Sequence, residues 1–98
     1  MPLIIIPAYN EEKTIGRVIR GLFEQGWKDI VVVDDGSEDG TLDEARRAGV
    51  TVLRHEINRG QGAALETGDA FARSIGSEAV VHFDGDGQFS VADIAPAL

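Results

Sequence analysis

Asp84 and Asp86 stand either side of one glycine in VVHFDGDGQFS, directly after a run of apolar residues. Successive side chains on an extended chain point to opposite faces, so positions two apart share a face, and two carboxylates held that close repel unless something positive sits between them. A divalent cation would satisfy that geometry. The same Asp-Gly-Asp-Gly string is also ordinary turn chemistry, because these residues dominate loops for purely local reasons. His55 and His82 are not spaced as a metal pair and read as loop or strand-end residues.

The elements that would position these carboxylates follow from periodicity. Leu3 to Ile6, Asp29 to Asp34, Val50 to Arg54 and Ala79 to Asp84 are short β-branched runs bounded by turn residues, which predicts four strands. Three helical patterns lie between them. The first spans about Glu12 to Gln25, with Ile15, Val18, Ile19, Leu22 and Phe23 on one stripe and Gly26 after it. The second spans Thr41 to Ala48, and the third runs from about Gly62 to Ile75. Ser90 and Asp93 look like the cap and first-turn acid of a fourth.

Strands that are apolar nearly throughout and alternate with helices predict an α/β fold, a parallel sheet covered on both faces and joined by right-handed crossovers. Ligands of such sheets bind beyond the carboxyl ends of the strands. The loops at those ends are PAYNEE, DDGSEDGT, HEINRGQG and DGDGQFS, and almost every unusual residue falls in them. QGWKD, RAGV and IGSE, at the opposite end, are plain connectors. That asymmetry favours a metal or phosphate role for Asp84 and Asp86 over a bare turn.

Composition removes other classes. At 98 residues there is one domain at most, able to bury roughly 60 to 65% of its unfolded surface. Nine basic against 17 acidic residues give a net charge of -8, which argues against binding nucleic acid or anionic membrane through bulk charge. With no cysteine there is no disulfide framework, thiolate metal site or thiol nucleophile. MPLIIIPAYN has no basic n-region, so no signal peptide is expected, and its apolar run is too short to span a bilayer.

Several motifs fail on inspection. The place of a dinucleotide fingerprint after the first strand holds PAYNEE, and no Walker lysine follows a glycine loop. DGSEDG starts like an EF-hand loop, but the twelfth position is Arg46 and a strand precedes it. A phosphoacceptor receiver domain would need its nucleophilic aspartate after the third strand, which here ends LRHEINRG.

IIIPAYNEEKTI, VVVDDGSEDGT, NRGQGAALETG and VVHFDGDGQF, in this order and spacing, resemble the amino-terminal half of family 2 inverting glycosyltransferases, closest to the dolichyl- or polyprenyl-phosphate mannosyl- and glucosyltransferases. The resemblance covers essentially the whole chain. It implies a GT-A, Rossmann-like three-layer fold with strand order 3-2-1-4, a GDP- or UDP-sugar donor, and Mg or Mn as cofactor. It further implies a complete catalytic domain about twice as long, with an acceptor-binding half beyond these 98 residues. A lipid-phosphate acceptor and a cytoplasmic location, at the cytoplasmic face of a membrane in the complete protein, belong to the same expectation. A noncatalytic module that binds nucleotide sugar or metal is the alternative.

Residue by residue, Pro7, Ala8 and Tyr9 would offer backbone groups and one aromatic face to a planar base, and Glu11 would accept from ring or ribose donors. A plainer reading has Pro7 stopping the strand and Asn10 capping the helix. The resemblance places Asp35 on the base or ribose and Ser37 among the residues that bind the donor nucleotide; Asp35 is expected in a solvent-facing loop, removable without harm to the fold, with Gly36 and Ser37 turning the chain beside it. Bare amides around Asn58, Gly60 and Gly62 could approach phosphate, with Arg59 nearby for charge, although an ordinary glycine turn explains them as well. By resemblance Asp84 serves ribose and metal while Asp86 and Gln88 bind the metal. No residue of this chain is assigned as the catalytic base. An unpaired edge on the fourth strand would lead the isolated chain to self-associate.

Overall fold

The apolar runs do form a parallel sheet. The computed structural model describes residues 2–83 and 89–92. Strands β1 (Leu3–Ala8), β2 (Ile30–Asp35), β3 (Thr51–His55) and β4 (Val80–Phe83) alternate with helices α1 (Ile15–Glu24), α2 (Thr41–Arg47) and α3 (Gln61–Ser74). A last strand, β5 (Phe89–Ala92), gives the order β3-β2-β1-β4-β5. β1 lies between β2 and β4, parallel to both, and its register pairs Ile4 with Ile30 and Leu3 with Val80.

Alternation along the strands divides the core into two layers. Ile4, Ile6, Ile30 and Val32 face α1, whose Ile15, Ile19 and Leu22 are buried against them together with Ala45 of α2. Leu3, Ile5, Val31, Val33 and Val80 face α3. Each fully buried branched side chain contributes about 1.5–3 kcal/mol, so β1 and β2, apolar on both faces, are the main source of stability. Gly68 lets α3 lie directly on this layer, since a Cβ there would stand 2.4 Å from Cγ2 of Ile5.

Pro7 does not stop β1 as expected. Leu3 donates its amide to Ala79 and Ile4 donates to Asp29, so odd-numbered nitrogens of β1 face β4 and even-numbered ones face β2. The nitrogen of Pro7 thus faces β4 beyond Ile5–His82, the last pair of that register, where the missing donor breaks no rung. The helix expected from Ser90 is also corrected: residues 89–92 form β5, antiparallel to β4 with Phe83 opposite Phe89. Backbone pairing with the neighbouring strand outweighs a local cap signal. The same finding removes the open edge from which self-association was expected, because β4 is paired on both sides.

Candidate functional site

The carboxyl ends of the strands are held by two different devices. Loops β1–α1 and β2–α2 are laced together by side chains that bond backbone. The Asn10 amide donates to Oγ of Ser37 at 2.8 Å, the Glu11 amide to Oγ1 of Thr41 at 2.7 Å and the Glu12 amide to Oδ2 of Asp39 at 3.3 Å. In return the Glu38 amide donates to Oδ1 of Asn10 at 2.9 Å, and the Gly40 amide to Oε2 of Glu12 at 3.1 Å. Asn10, expected as a helix cap, sits instead at φ 51, with its carboxamide serving the neighbouring loop. A short polar side chain tolerates that left-handed conformation better than most.

Loop β3–α3 hangs on one carboxylate. Asp35 lies inside β2 and is 3% exposed, which corrects the expectation of a solvent-facing loop residue. Its Oδ1 accepts from the Arg59 amide and from Nδ1 of His55, both at 2.8 Å, and its Oδ2 accepts from the Gly60 amide at 2.8 Å. These two amides therefore face Asp35, not a phosphate. Burial alone would raise the Asp35 carboxyl, but the His55 hydrogen bond and then the two amides outweigh it and hold the group below the usual carboxylate range. His55 is itself buried, and its Nε2 lies 2.7 Å from Oγ1 of Thr67 on α3.

Neighbouring charges behave differently. Partial burial pushes the Glu11 carboxyl up, the Thr14 hydroxyl pulls it back, and the charge of Asp39 adds to the rise. Asp39 feels some burial too, but the Thr41 hydroxyl and amide and the Glu12 amide hold it low. Asp34, on the opposite face of β2 from Asp35, is fully buried. Its Oδ1 accepts from the Ser37 amide at 3.2 Å, and Nε of Arg54 lies 3.9 Å from its Oδ2. His82, on β4, bonds Oδ1 of Asp69 at 2.8 Å.

Between the two devices lies a cavity of about 230 Å3, lined by Pro7, Ala8, Tyr9, Glu11, Asp35, Asn58, Gly60 and Gln61. Seven of the residues singled out from sequence thus line it, and Tyr9 among them is 45% exposed. Ser37 is buried as a strut of the lacing, and Arg59 is exposed. The volume is below the roughly 300–1,000 Å3 that encloses a drug-sized ligand, so it suits one planar group with the remainder outside. A larger concavity, about 740 Å3, opens at the amino ends of the strands among Lys28, Asp29, Phe71, Ile75 and Glu78. The smaller one is the better candidate, because its carboxylates, aromatic face and glycine backbone stand at the carboxyl ends of the strands, where α/β sheets bind ligands.

Asp84, Asp86 and Gln88 lie outside the described residues. Among the described residues no group of three or more His, Cys, Asp or Glu is placed to hold a metal. The expected ligand set is all oxygen, the donor chemistry that hard cations such as Mg or Mn take, so the sequence fits the cofactor it implies. Sequence reasoning missed Gln61 as a lining residue and the partnership of His55 with Thr67. One signal was present: aligning VVVDD with TVLRH places Asp35 directly opposite His55, which puts both on one face of the sheet.

The chain belongs to Glycosyl transferase family 2, whose family model matches residues 3–98. The chain is 38% identical, over 97% of its length, to a UDP-N-acetylglucosamine–dolichyl-phosphate N-acetylglucosaminyltransferase of Methanococcus voltae, of which it spans 45%. It is 34% identical, again over 97% of its length, to glycosyltransferase AglJ of Haloferax volcanii, of which it spans 30%. Among solved structures, glucosyl-3-phosphoglycerate synthase of Mycobacterium tuberculosis, in complex with Mn2+, UDP and glucosyl-3-phosphoglycerate, superposes with a TM-score of 0.72. Identity there is 29% over 86% of this chain and 33% of that one. A second complex of that synthase holds Mg2+ and UDP. The chain thus spans less than half the length of these relatives.

Proposed function

We propose that this chain is the donor-binding part of a glycosyltransferase that moves a hexose from a UDP- or GDP-sugar to an acceptor, a polyprenyl or dolichyl phosphate, with inversion at the anomeric carbon. The observation that carries the reading is the cavity itself, which joins an aromatic face to the buried Asp35 and half-buried Glu11 carboxylates at the carboxyl ends of β1 and β2. The dolichyl-phosphate enzyme among the relatives supports the acceptor class, and the UDP complexes of the synthase support the donor class.

In this reading Tyr9 covers one face of the base, while Asp35 and Glu11 accept from base or ribose donors. Asp84, Asp86 and Gln88 would hold Mg or Mn against the donor's phosphates. When bound, such a cation neutralises charge developing on the departing nucleoside diphosphate. A lipid-phosphate acceptor is already an anion and needs no general base; a sugar hydroxyl would need one, and the described residues assign none. No helix among the described residues is long and apolar enough to cross a membrane, so work at the cytoplasmic face of one would rest on peripheral contact or on other parts of the protein.

Calorimetry with UDP and GDP tests the reading. Binding should be tighter with Mn2+ than with chelator, and Asp86→Ala should abolish the difference. Equal affinity in both conditions would remove the metal assignment, and absence of binding by either nucleotide would remove the donor site.

A further inference from the structure

We propose that His55 is a positioning residue for the donor nucleotide, fixing the Asp35 carboxylate and the Arg59–Gly60 backbone into the wall of the cavity without touching the ligand. The inference rests on the donor-binding reading above and extends it to a residue outside the lining. Asp35 lines the cavity, whereas His55, 8% exposed, lies behind it.

An ionised carboxylate has about four acceptor positions. In Asp35 three are occupied: two on Oδ1, by His55 and the Arg59 amide, and one on Oδ2, by the Gly60 amide. Among the described residues one acceptor position therefore remains unused, on Oδ2, for a base N–H or a ribose hydroxyl. The carboxylate accepts only, so Nδ1 of His55 carries a proton, while Nε2 shares a hydrogen bond with the Thr67 hydroxyl on α3. The ring is thus fixed at both nitrogens, and it fixes the Asp35 rotamer in turn. Without it, Asp35 could swing away from the Arg59 and Gly60 amides, and the Asn58–Gln61 wall would lose its only side-chain anchor among the described residues.

The test combines calorimetry, with UDP and Mn2+, and amide NMR of the ligand-free chain, on wild type, His55→Ala and His55→Asn. His55→Ala should weaken UDP by roughly tenfold or more, by analogy with the loss of partners that orient the ligands of a metal site. It should also move the Arg59 and Gly60 amide resonances, which are displaced by their bonds to a charged acceptor, while Asn10 and Glu38 in the laced loops stay in place. His55→Asn restores a donor near Nδ1 and should recover both readouts, which a merely structural role would not predict. UDP affinity in folded His55→Ala within twofold of wild type overturns the proposal, as does His55→Asn with wild-type amides and affinity still lost. If wild type binds no UDP, the donor-binding reading fails by itself. The amides still judge the role of His55, and unchanged Arg59 and Gly60 resonances in His55→Ala would overturn it. If His55→Ala does not fold, recovery or failure in His55→Asn decides.

Discussion

Loops β1–α1 and β2–α2 share five side-chain-to-backbone hydrogen bonds drawn from five side chains, whereas among the described residues loop β3–α3 takes its side-chain anchorage from Asp35 alone. The first arrangement is distributed, so removing one strut leaves four. The second is concentrated on a buried charge, so removing it leaves an imidazole and two amides without their acceptor. Tolerance to substitution at this site should therefore follow how the restraint is spread, not how polar the residue is.

The two regions touch at Gly36, and the largest effect is expected there. Its φ is +74, and a Cβ would stand 2.5 Å from the backbone of both Ile57 and Asn58. Gly36→Ala should cost about 3–5 kcal/mol, from left-handed strain plus overlap with main chain that cannot yield as a side chain can. Urea denaturation measures it, and a loss under 1 kcal/mol would mean that the loops are less closely stacked.

Asp35→Ala comes next, at about 3 kcal/mol, because breaking a buried charge-assisted set leaves polar groups unsatisfied. This reverses the sequence-based expectation that the residue is removable. The pH dependence follows from a lowered carboxyl: the Asp35 contribution is fully present above the ordinary value of about 3.9 and is lost as pH falls through the lower folded-state value. Wild-type and Asp35→Ala stabilities should therefore converge below about pH 3.9, and curves that stay parallel would place the stabilisation elsewhere.

Ser37→Ala removes one strut of five and should cost about 1 kcal/mol, with nucleotide affinity nearly unchanged. A loss as large as that of Asp35→Ala would erase the distinction between the two devices. The smallest effect belongs to Glu11→Gln. A raised carboxyl penalises the fold once it ionises, so the substitution should add about 1–2 °C to the Tm at pH 7 and nothing below the ordinary glutamate value. A lowered Tm at pH 7 would show that the Glu11 charge is useful to the free protein.

The α/β class and a sheet covered on both faces were legible because period is local to each strand and the crossovers have a fixed hand, whereas the order 3-2-1-4 followed from the family resemblance. Boundaries moved where nonlocal bonds intervene. α1 starts at Ile15 instead of Glu12 because Glu12 is engaged by Asp39 and Gly40 across the neighbouring loop. β2 runs on through Asp35 because β3 continues beside it to His55. The burial of Asp35 and the second bond of His55 need a helix to be placed over the sheet, and no stretch of sequence around either residue carries that placement. β5 escaped for the same reason, since its only determinant is the neighbouring strand.

The central place of β1 also governs the order in which the molecule can assemble. Its ladder with β2 joins Ile4 to Ile30, while its ladder with β4 joins Leu3 to Val80, a loop about three times longer. Loop-closure entropy grows only with the logarithm of length, so the longer closure costs about 1 kcal/mol more, little against the apolar burial it completes. Kinetically the difference is larger, because separation along the chain slows the search. A ribosome delivers Ile4 and Ile5 long before Val80, and until Val80 emerges the most apolar strand of the protein has one edge for any other chain to meet.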